Sequence, residues 1–257
     1  MKKIISAKNI KIVRQGTKIL KGIDIEMLSN QHLGIIGHNG AGKSFLLQIL
    51  SADIIPSSGE VTILDQTFGK TNLWNLRKKI GFVSSKLIFW YKDQVKVLDV
   101  VASGFHGTFG LPEKITDHQK KRILQVLKFF DIEALQDRFF ETLSDGEKRK
   151  VILCRAIVLD PKILIFDEPC QGLDIPTREI FLKDVDKLSK KINIIYVNHH
   201  LEELPFCITD IVFLKKGKIF AKGKKDQMLT SKMISDVFDF PLEVVKKNKR
   251  FFVQHNK

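Results

Sequence analysis

A glycine-rich stretch, Gly37–Ser44 (GHNGAGKS), carries the strongest chemical signal in the sequence. It fits the pattern G-x-x-x-x-G-K-[S/T] and lies between LGIIG, which is typical of a strand, and SFLLQILSA, which has helical spacing. Its glycines let successive backbone N–H groups face an anion, and the helix start adds positive partial charge. We expect Lys43 to contact the β- and γ-phosphates of a nucleotide and Ser44 to ligate Mg²⁺. The predicted nucleotide-binding residues are Gly37, His38, Asn39, Gly40, Ala41, Gly42, Lys43, Ser44 and Phe45.

Two adjacent carboxylates, Asp167 and Glu168, follow an apolar run in the segment ILIFDEP. Ionised carboxylates at the end of a buried strand need a counter-charge, because isolated charges resist burial. Magnesium triphosphate supplies one. We expect Asp167 to hold the metal, directly or through water, and Glu168 to polarise an attacking water. In the structural alternative, the two residues only end a strand and begin a turn.

A histidine pair, His199 and His200, follows the apolar run NIIYV. A histidine at a strand end beside a phosphate site can donate a hydrogen bond to a γ-phosphate oxygen. Elsewhere such pairs are usually surface or packing residues, and metal binding is a further alternative. We expect His199 to contact the phosphate, so that Lys43, Glu168 and His199 form the predicted catalytic set.

The order of apolar segments predicts the fold that positions these residues. The first thirty-odd residues alternate apolar and polar side chains around Gly16, Gly22 and Asn30, which indicates short antiparallel strands. Strand-like and helix-like segments then alternate, a pattern that favours a mostly parallel sheet covered by helices. Between about residues 85 and 159 helical spacing dominates, which indicates a helical insertion in the α/β core.

The composition excludes several classes of protein. With 44% hydrophobic and 28% charged residues, the 257-residue chain is neither disordered nor fibrous. Its apolar runs have the length of strands and are too short to span a bilayer. Three cysteines without a CxxC pair favour a reduced cytoplasmic compartment. The net charge of +14 is spread along the chain, which is typical of a solvated surface, and its densest tract, Lys246–Arg250, is predicted to be a polar tail.

A fourth segment, LSDGE at Leu143–Glu147, lies about twenty residues before the carboxylate pair. Over roughly Ile4 to Met228, the four motifs together resemble the ATP-binding cassette (ABC) ATPases, the motor subunits of ABC transporters. The resemblance implies a P-loop NTPase (RecA-like) α/β core with a small antiparallel β subdomain. It also implies an inserted α-helical subdomain at about 86–159, within an ATPase domain at 1–228, and a short C-terminal extension at 229–257.

In this family two cassettes pair head to tail, and the signature loop of one closes over the ATP held by the other. The resemblance therefore implies a second cassette, either an identical chain or a homologous one. The signature residues that would act in trans are Leu143, Ser144, Asp145, Gly146 and Glu147. Ser144 and the Gly146 amide would serve the neighbour's γ-phosphate. On this interpretation the loop has no partner within its own chain.

Other positions either match the family or depart from it. Asp174, in QGLD, matches the D-loop that couples the two sites, and His199 matches the switch histidine. Arg14 stands where the family usually has an aromatic ring under the adenine, and a guanidinium plane can stack on a purine. Ser85 stands where a glutamine is usual and would act only through a bridging water. Asp145 replaces a signature glycine and brings negative charge near a phosphate.

The resemblance implies an ATPase subunit on the inner face of the cell membrane that uses ATP and Mg²⁺ and drives a separate permease, with a substrate-binding protein as a further partner. The segments Leu98–Gly107 and Asp236–Val245 are similar to those of molybdenum-transport, photorepair-like and iron-chelate importer ATPases. Import of a metal chelate or oxyanion is the expectation. The alternatives are a soluble ABC ATPase acting on nucleic acid or ribosomes, and a nucleotide sensor with little turnover. The first of these usually needs two cassettes or long coiled-coil insertions, and the sequence has neither.

Overall fold

The computed structural model describes residues 2–91, 94–107, 110 and 114–255, which belong to two compact units. The first unit comprises Met1–Leu76 and Asn193–Lys257, and the second comprises Arg77–Ile192. The strands are β1 (Lys3–Arg14), β2 (Thr17–Leu28), β3 (Leu33–Ile36), β4 (Ser58–Ile63), β5 (Gln66–Thr67), β6 (Ile80–Ser84), β7 (Ile163–Asp167), β8 (Asn193–Asn198), β9 (Asp210–Lys215), β10 (Lys218–Lys224), β11 (Leu242–Lys247) and β12 (Arg250–His255). The helices are α1 (Lys43–Leu50), α2 (Leu73–Arg77), α3 (Val97–Ala102), α4 (Asp117–Phe129), α5 (Asp145–Ile157), α6 (Ile175–Ser189), α7 (Lys225–Met228) and α8 (Ser231–Phe238).

An antiparallel sheet in the first unit has the strand order β2-β1-β4-β5. The turn between β1 and β2 is formed by Gln15 and Gly16, both with positive φ (48° and 75°), as a tight hairpin requires. The two strands are longer than the short strands predicted, with twelve residues each and several register shifts along the pair. The sheet confirms the expected small antiparallel subdomain.

The first unit also contains parallel strands that are buried on both faces. β3 pairs in parallel with β8 on one side and with β9 on the other, and β10 pairs antiparallel with β9. All four residues of β3 are buried, which explains its uninterrupted apolar sequence. Ile36 lies opposite Asn198 and Phe213, so the segments that follow these three strands emerge at the same edge.

The C-terminal part of the first unit is folded, and the prediction of a polar tail was wrong. β11 and β12 form an antiparallel hairpin, and the lysine-rich tract supplies its turn, where Asn248 and Lys249 have φ of 50° and 64°. The hairpin contacts α8, and it buries Phe251. Lys246 pairs with Asp226 at 2.9 Å, so at least one of the tract's charges is neutralised within the chain.

The second unit combines a parallel strand pair with the predicted helices. β6 and β7 pair in parallel from Ile80–Ile163 to Ser84–Asp167. α5 contacts α3, α4, α6 and β6, and most of its residues are buried. A Cβ at Gly81 would lie 2.5 Å from the Ala156 carbonyl oxygen, so this glycine lets β6 approach α5. α4 and α5 lie within the segment where helical spacing was predicted, and the mixed α/β class is confirmed.

No helix in the described part of the chain is both long enough and apolar enough to cross a membrane.

Candidate active site

The predicted phosphate-binding loop connects β3 to α1 in the first unit. Gly42 immediately precedes α1 with φ of 102°, and a Cβ there would lie 2.7 Å from Leu20 Cδ2. A Cβ at Gly37 would lie only 2.2 Å from the Leu214 carbonyl oxygen. These two positions therefore need glycine for a left-handed backbone or for close packing, independently of any ligand.

The side chain of Lys43 is fixed within this loop. Its ammonium group is buried and donates hydrogen bonds to the carbonyl oxygens of Gly37 (2.7 Å) and His38 (2.9 Å). The Ala41 N–H also donates to the His38 carbonyl, at 3.2 Å, and the Gly217 N–H donates to the Ala41 carbonyl, at 3.0 Å. The loop is thus preorganised by its own carbonyl groups. The remaining predicted residues of the loop are exposed at Asn39, Gly40 and Ser44 and half-buried at Phe45.

His199 lies at the same sheet edge as the phosphate loop. It follows β8 directly, and the register that pairs Ile36 with Asn198 places it beside the point where the loop begins. The buried Asn198 side chain organises the turn: its Oδ1 accepts from the N–H groups of His199 (2.7 Å) and His200 (3.2 Å). Its Nδ2 donates to Glu203 Oε2 at 2.6 Å. In the sequence, the only signal that marks Asn198 is its place at the end of a predicted strand.

In the second unit, the predicted carboxylates lie at the end of β7. Ser84 is opposite Asp167 in the parallel pair, so Ser85 and Glu168 are the next residues along both strands. Glu168 has a φ of 45°, in the left-handed region that residues other than glycine rarely occupy. Such backbone strain is concentrated at functional sites, where it fixes the direction of a side chain. Both carboxylates are half-buried.

Ser85 has a direct side-chain partner, and its expected action on the nucleotide site through a bridging water stays a prediction. Its Oγ donates a hydrogen bond to Gln171 Oε1 at 3.1 Å. The Gln171 carbonyl accepts a hydrogen bond of 2.6 Å from Nη2 of Arg149, a buried residue of α5. Gln171 therefore connects the Ser85 position with the signature helix. In the sequence Gln171 is only the first residue of QGLD, and no local pattern marks its contact with Ser85.

The signature segment opens α5, and its serine is already bonded within its own chain. Ser144 caps the helix: its Oγ accepts from the Glu147 N–H at 3.3 Å and donates to Glu147 Oε2 at 2.9 Å. The prediction that this loop has no partner in its own chain was therefore wrong for Ser144. A Cβ at Gly146 would lie 2.8 Å from Thr177 Cγ2, so this glycine also allows α5 to approach α6.

Charge in the first turn of α5 is consistent with its capping role. The backbone hydrogen bond from Ser144 lowers the pKa of the Glu147 carboxyl. Glu147 therefore stabilises the folded state above the ordinary pKa of a glutamate, and this contribution is lost as the pH falls through its lowered pKa. Asp145 is exposed in the same turn, where the helix dipole favours a negative charge. Leu143, before the cap, is buried.

The two remaining predicted residues lie at the ends of their elements. Asp174 caps α6, where its Oδ1 accepts from the Thr177 N–H at 2.8 Å, and hydrogen bonding to Thr177 lowers its pKa. Arg14 is the exposed last residue of β1, beside the hairpin turn. Its contact with adenine and the role of Asp174 at a subunit seam stay predictions.

Comparison with known proteins identifies relatives across the whole chain. Residues 20–171 match the model of the family described as "ABC transporter". The uncharacterized ABC transporter ATP-binding protein YlmA of Bacillus subtilis is 35% identical over 97% of this chain and 96% of its own length. The hemin import ATP-binding protein HmuV of Thermobifida fusca is 29% identical over 88% of this chain and 79% of its own.

A solved structure supports the fold. An inward-facing structure of a putative metal-chelate type ABC transporter contains a chain that matches with a TM-score of 0.78 at 23% identity. The match covers 98% of this chain and 96% of that one.

The cap at Ser144 can be separated from its expected catalytic role by a matched pair of variants. Thr116 caps α4 with the same arrangement of a hydroxyl and a side chain three residues later, here Gln119. We expect Ser144→Ala and Thr116→Ala each to lower the free energy of unfolding by about 0.5–2 kcal/mol in urea denaturation. Only Ser144→Ala should also lower the ATPase rate. Equal ATPase rates in the two variants would show that Ser144 is a cap and nothing more.

The bond between Ser85 and Gln171 makes a second prediction. We expect Ser85→Ala and Gln171→Leu to lower kcat for ATP while leaving the Kd for ATP unchanged, because neither residue belongs to the phosphate loop. The double variant should be no slower than the slower single variant, since both changes remove the same bond. The steady-state rate of phosphate release at saturating ATP gives kcat. Fully additive losses would contradict a shared function for the pair.

Proposed function

Because this chain belongs to the ABC transporter family of ATP-binding cassettes, whose members are ATPases, we propose that it is the motor subunit of an importer. Two cassettes hydrolyse ATP in a head-to-tail dimer and drive a separate membrane permease. The chain then lies peripherally on the inner face of the membrane, and a substrate-binding protein is a further partner.

The reaction is ATP plus water to ADP plus phosphate, and this chain contributes mainly positioning and electrostatics. Lys43 and the amides of the loop before α1 hold the phosphates, and His199 donates to a γ-phosphate oxygen from the adjacent strand end. Glu168, held in a left-handed backbone conformation, accepts a hydrogen bond from the attacking water and polarises it.

Mg²⁺ is the metal that these residues suit. The Ser44 hydroxyl and the Asp167 carboxylate are oxygen donors of the kind that Mg²⁺ prefers. Within the described residues no group of three or more His, Cys, Asp or Glu side chains could hold a metal. This fits an ion that keeps water and phosphate oxygens among its ligands. When bound, the ion neutralises charge that develops on the β- and γ-phosphates.

The signature segment serves the neighbouring cassette through its backbone more than through Ser144. The first main-chain bond of α5 runs from the Lys148 N–H to the Ser144 carbonyl at 2.9 Å. The amides of Asp145 and Gly146 come before that bond, as the first N–H groups of a helix do. With the Ser144 hydroxyl committed to Glu147, these two amides are the donors best suited to a partner's γ-phosphate.

A cavity in the second unit supports the assignment to transport. It measures about 530 Å³, and Ser85, Phe89 and Gln171 are among its lining residues. Phe89 and Trp90 are 72% and 65% exposed on the short 3-10 helix that Ser85 begins. Adjacent exposed aromatic side chains commonly mark an interaction surface. We assign this surface to the permease, with Ser85, Gln171 and Arg149 connecting it to the signature helix.

The proposed cargo is a metal chelate. Two similar proteins carry names that refer to such cargo: the hemin import protein of T. fusca and the metal-chelate type transporter. An oxyanion is the second choice for cargo.

The net charge of +14 favours a different function, in which the chain acts on nucleic acid or ribosomes.

The change Glu168→Gln tests both the catalytic role and the partner. It keeps the shape of the side chain but removes the carboxylate, so we expect hydrolysis to fall at least about a hundredfold while ATP binding persists. With ATP and Mg²⁺ the variant should elute from a size-exclusion column as a dimer. Purified with ATP from detergent-solubilised membranes of its own cells, the tagged variant should retain a multi-span membrane protein.

That membrane protein, reconstituted in vesicles with the wild-type chain, should make uptake of a metal chelate dependent on ATP. Retention of ribosomal proteins or nucleic acid in place of a membrane protein would overturn the transport assignment. Uptake of an oxyanion alone would overturn only the cargo. Wild-type hydrolysis by Glu168→Gln would show that Glu168 has a different role.

A further inference from the structure

An aromatic residue of the C-terminal segment contacts the phosphate loop. The Phe238 ring, at the end of α8, lies edge-to-face against the ring of His38, with centroids 4.7 Å apart and planes at 60°. This is the separation and arrangement that aromatic pairs prefer. His38 is exposed on the loop and Phe238 is half-buried, so the contact covers part of a side chain that the loop itself leaves open.

The backbone of His38 holds the rest of the loop together. Its carbonyl oxygen accepts hydrogen bonds from Lys43 Nζ at 2.9 Å and from the Ala41 N–H at 3.2 Å. His38 therefore contacts Phe238 through its side chain and Lys43 through its carbonyl oxygen. Any shift of the His38 ring that moves its backbone also moves the groups that position Lys43.

The end of α8 is itself fixed to the strand that supports the loop. Lys215, the last residue of β9, donates to the Asp236 carbonyl at 2.5 Å and to Asp239 Oδ1 at 2.6 Å. The bond from Lys215 lowers the pKa of the exposed Asp239 carboxyl. The preceding residue, Leu214, provides the carbonyl against which Gly37 packs. β9 thus contacts the beginning of the loop and the end of α8 at consecutive residues.

The segment that carries Phe238 is ordered as part of the fold. Ile234 and Val237 of α8 are buried, and Thr230 caps the helix by accepting from the Met233 N–H at 3.3 Å. Ser235 Oγ bonds to both the carbonyl (3.0 Å) and the N–H (2.9 Å) of Leu242, at the start of β11. A helix held at both ends can transmit a constraint to the residue at its tip.

We propose that Phe238 is a positioning residue for nucleotide binding, through which the C-terminal segment Ser231–His255 holds His38, and with it Lys43, ready for ATP. The loop contains glycines with positive φ and loses conformational entropy when it closes on a phosphate. Fixing one of its residues beforehand lowers that cost and raises affinity. By linkage, bound ATP stabilises α8 to the same extent. The proposal concerns ATP binding by the cassette and does not depend on the permease.

The test replaces the ring and measures affinity. We expect Phe238→Leu to raise the Kd of ATP, measured without hydrolysis, and the KM for ATP by about twofold to tenfold, with kcat unchanged. Phe238→Tyr, which keeps the ring, should retain wild-type affinity. Phe240→Leu is the matched control, because Phe240 lies two residues away and its ring lies against that of His255, with centroids 5.4 Å apart. It should leave Kd, KM and kcat unchanged.

A double-mutant cycle separates positioning from loss of folding. In a His38→Ala background, Phe238→Leu should have no further effect on the Kd of ATP, because the ring contact is already gone. Wild-type Kd in Phe238→Leu, an equal loss in Phe240→Leu, or additive losses in the cycle would each overturn the proposal.

Hydrogen exchange keeps the test decisive if Phe238→Leu fails to fold. Saturating ATP should slow amide exchange across Ser231–Phe238 in the wild-type chain, and His38→Ala, a change on the exposed loop, should abolish that slowing. Exchange that is indifferent to ATP in the wild-type chain would overturn the proposal.

Discussion

The register of the parallel strand pairs is the constraint on which the site depends. In the first unit Ile36 lies opposite Asn198, so the phosphate loop and His199 leave the sheet at one edge. In the second unit Ser84 lies opposite Asp167, so Ser85 and Glu168 do the same. A slip of one residue would turn every side chain of a strand to the opposite face. In β3 close packing opposes such a slip, because a Cβ at the position of Gly34 would lie only 2.6 Å from Ile211 Cδ1. The packing of the core strands therefore determines where the predicted catalytic residues lie.

The N-termini of α1 and α5 differ in their capping, and this difference suits the phosphate loop and the signature segment to different roles. α1 begins after Gly42, with neither a side-chain cap nor an acidic residue in its first turn. The amides and positive dipole at the start of α1 are therefore suited to an anion. α5 begins after Ser144, which caps it in a complete capping box, and it carries two carboxylates in its first turn. These features stabilise the start of α5 without a ligand. In the proposed dimer, the start of α1 would hold a phosphate, and the start of α5 would complete the nucleotide site of the partner cassette.

Local patterns in the sequence predicted the strands and helices that carry the candidate site. They could not predict contacts between residues that are far apart in the sequence. The strand before the phosphate loop and the helix after it were predicted correctly, because apolar spacing and glycines are local features of the sequence. The bond of Ser85 to Gln171 joins residues 86 positions apart, and the ring contact of Phe238 with His38 spans the chain. The C-terminal hairpin was missed because its turn consists of Asn248 and Lys249 within a run of charge. That run looks like a solvated tail when spacing alone is considered.

The proposed sharing of two nucleotide sites between two chains can be tested directly by mixing two variants. Lys43→Ala disables the phosphate loop, and Ser144→Arg, at an exposed position, obstructs the signature segment. Each variant alone should be inactive. In an equal mixture, half of the dimers contain both variants and hence one intact site, so ATPase activity should return to about a quarter of the wild-type rate. A mixture that stays inactive at every concentration, although its chains form mixed dimers, would contradict a site built from two chains.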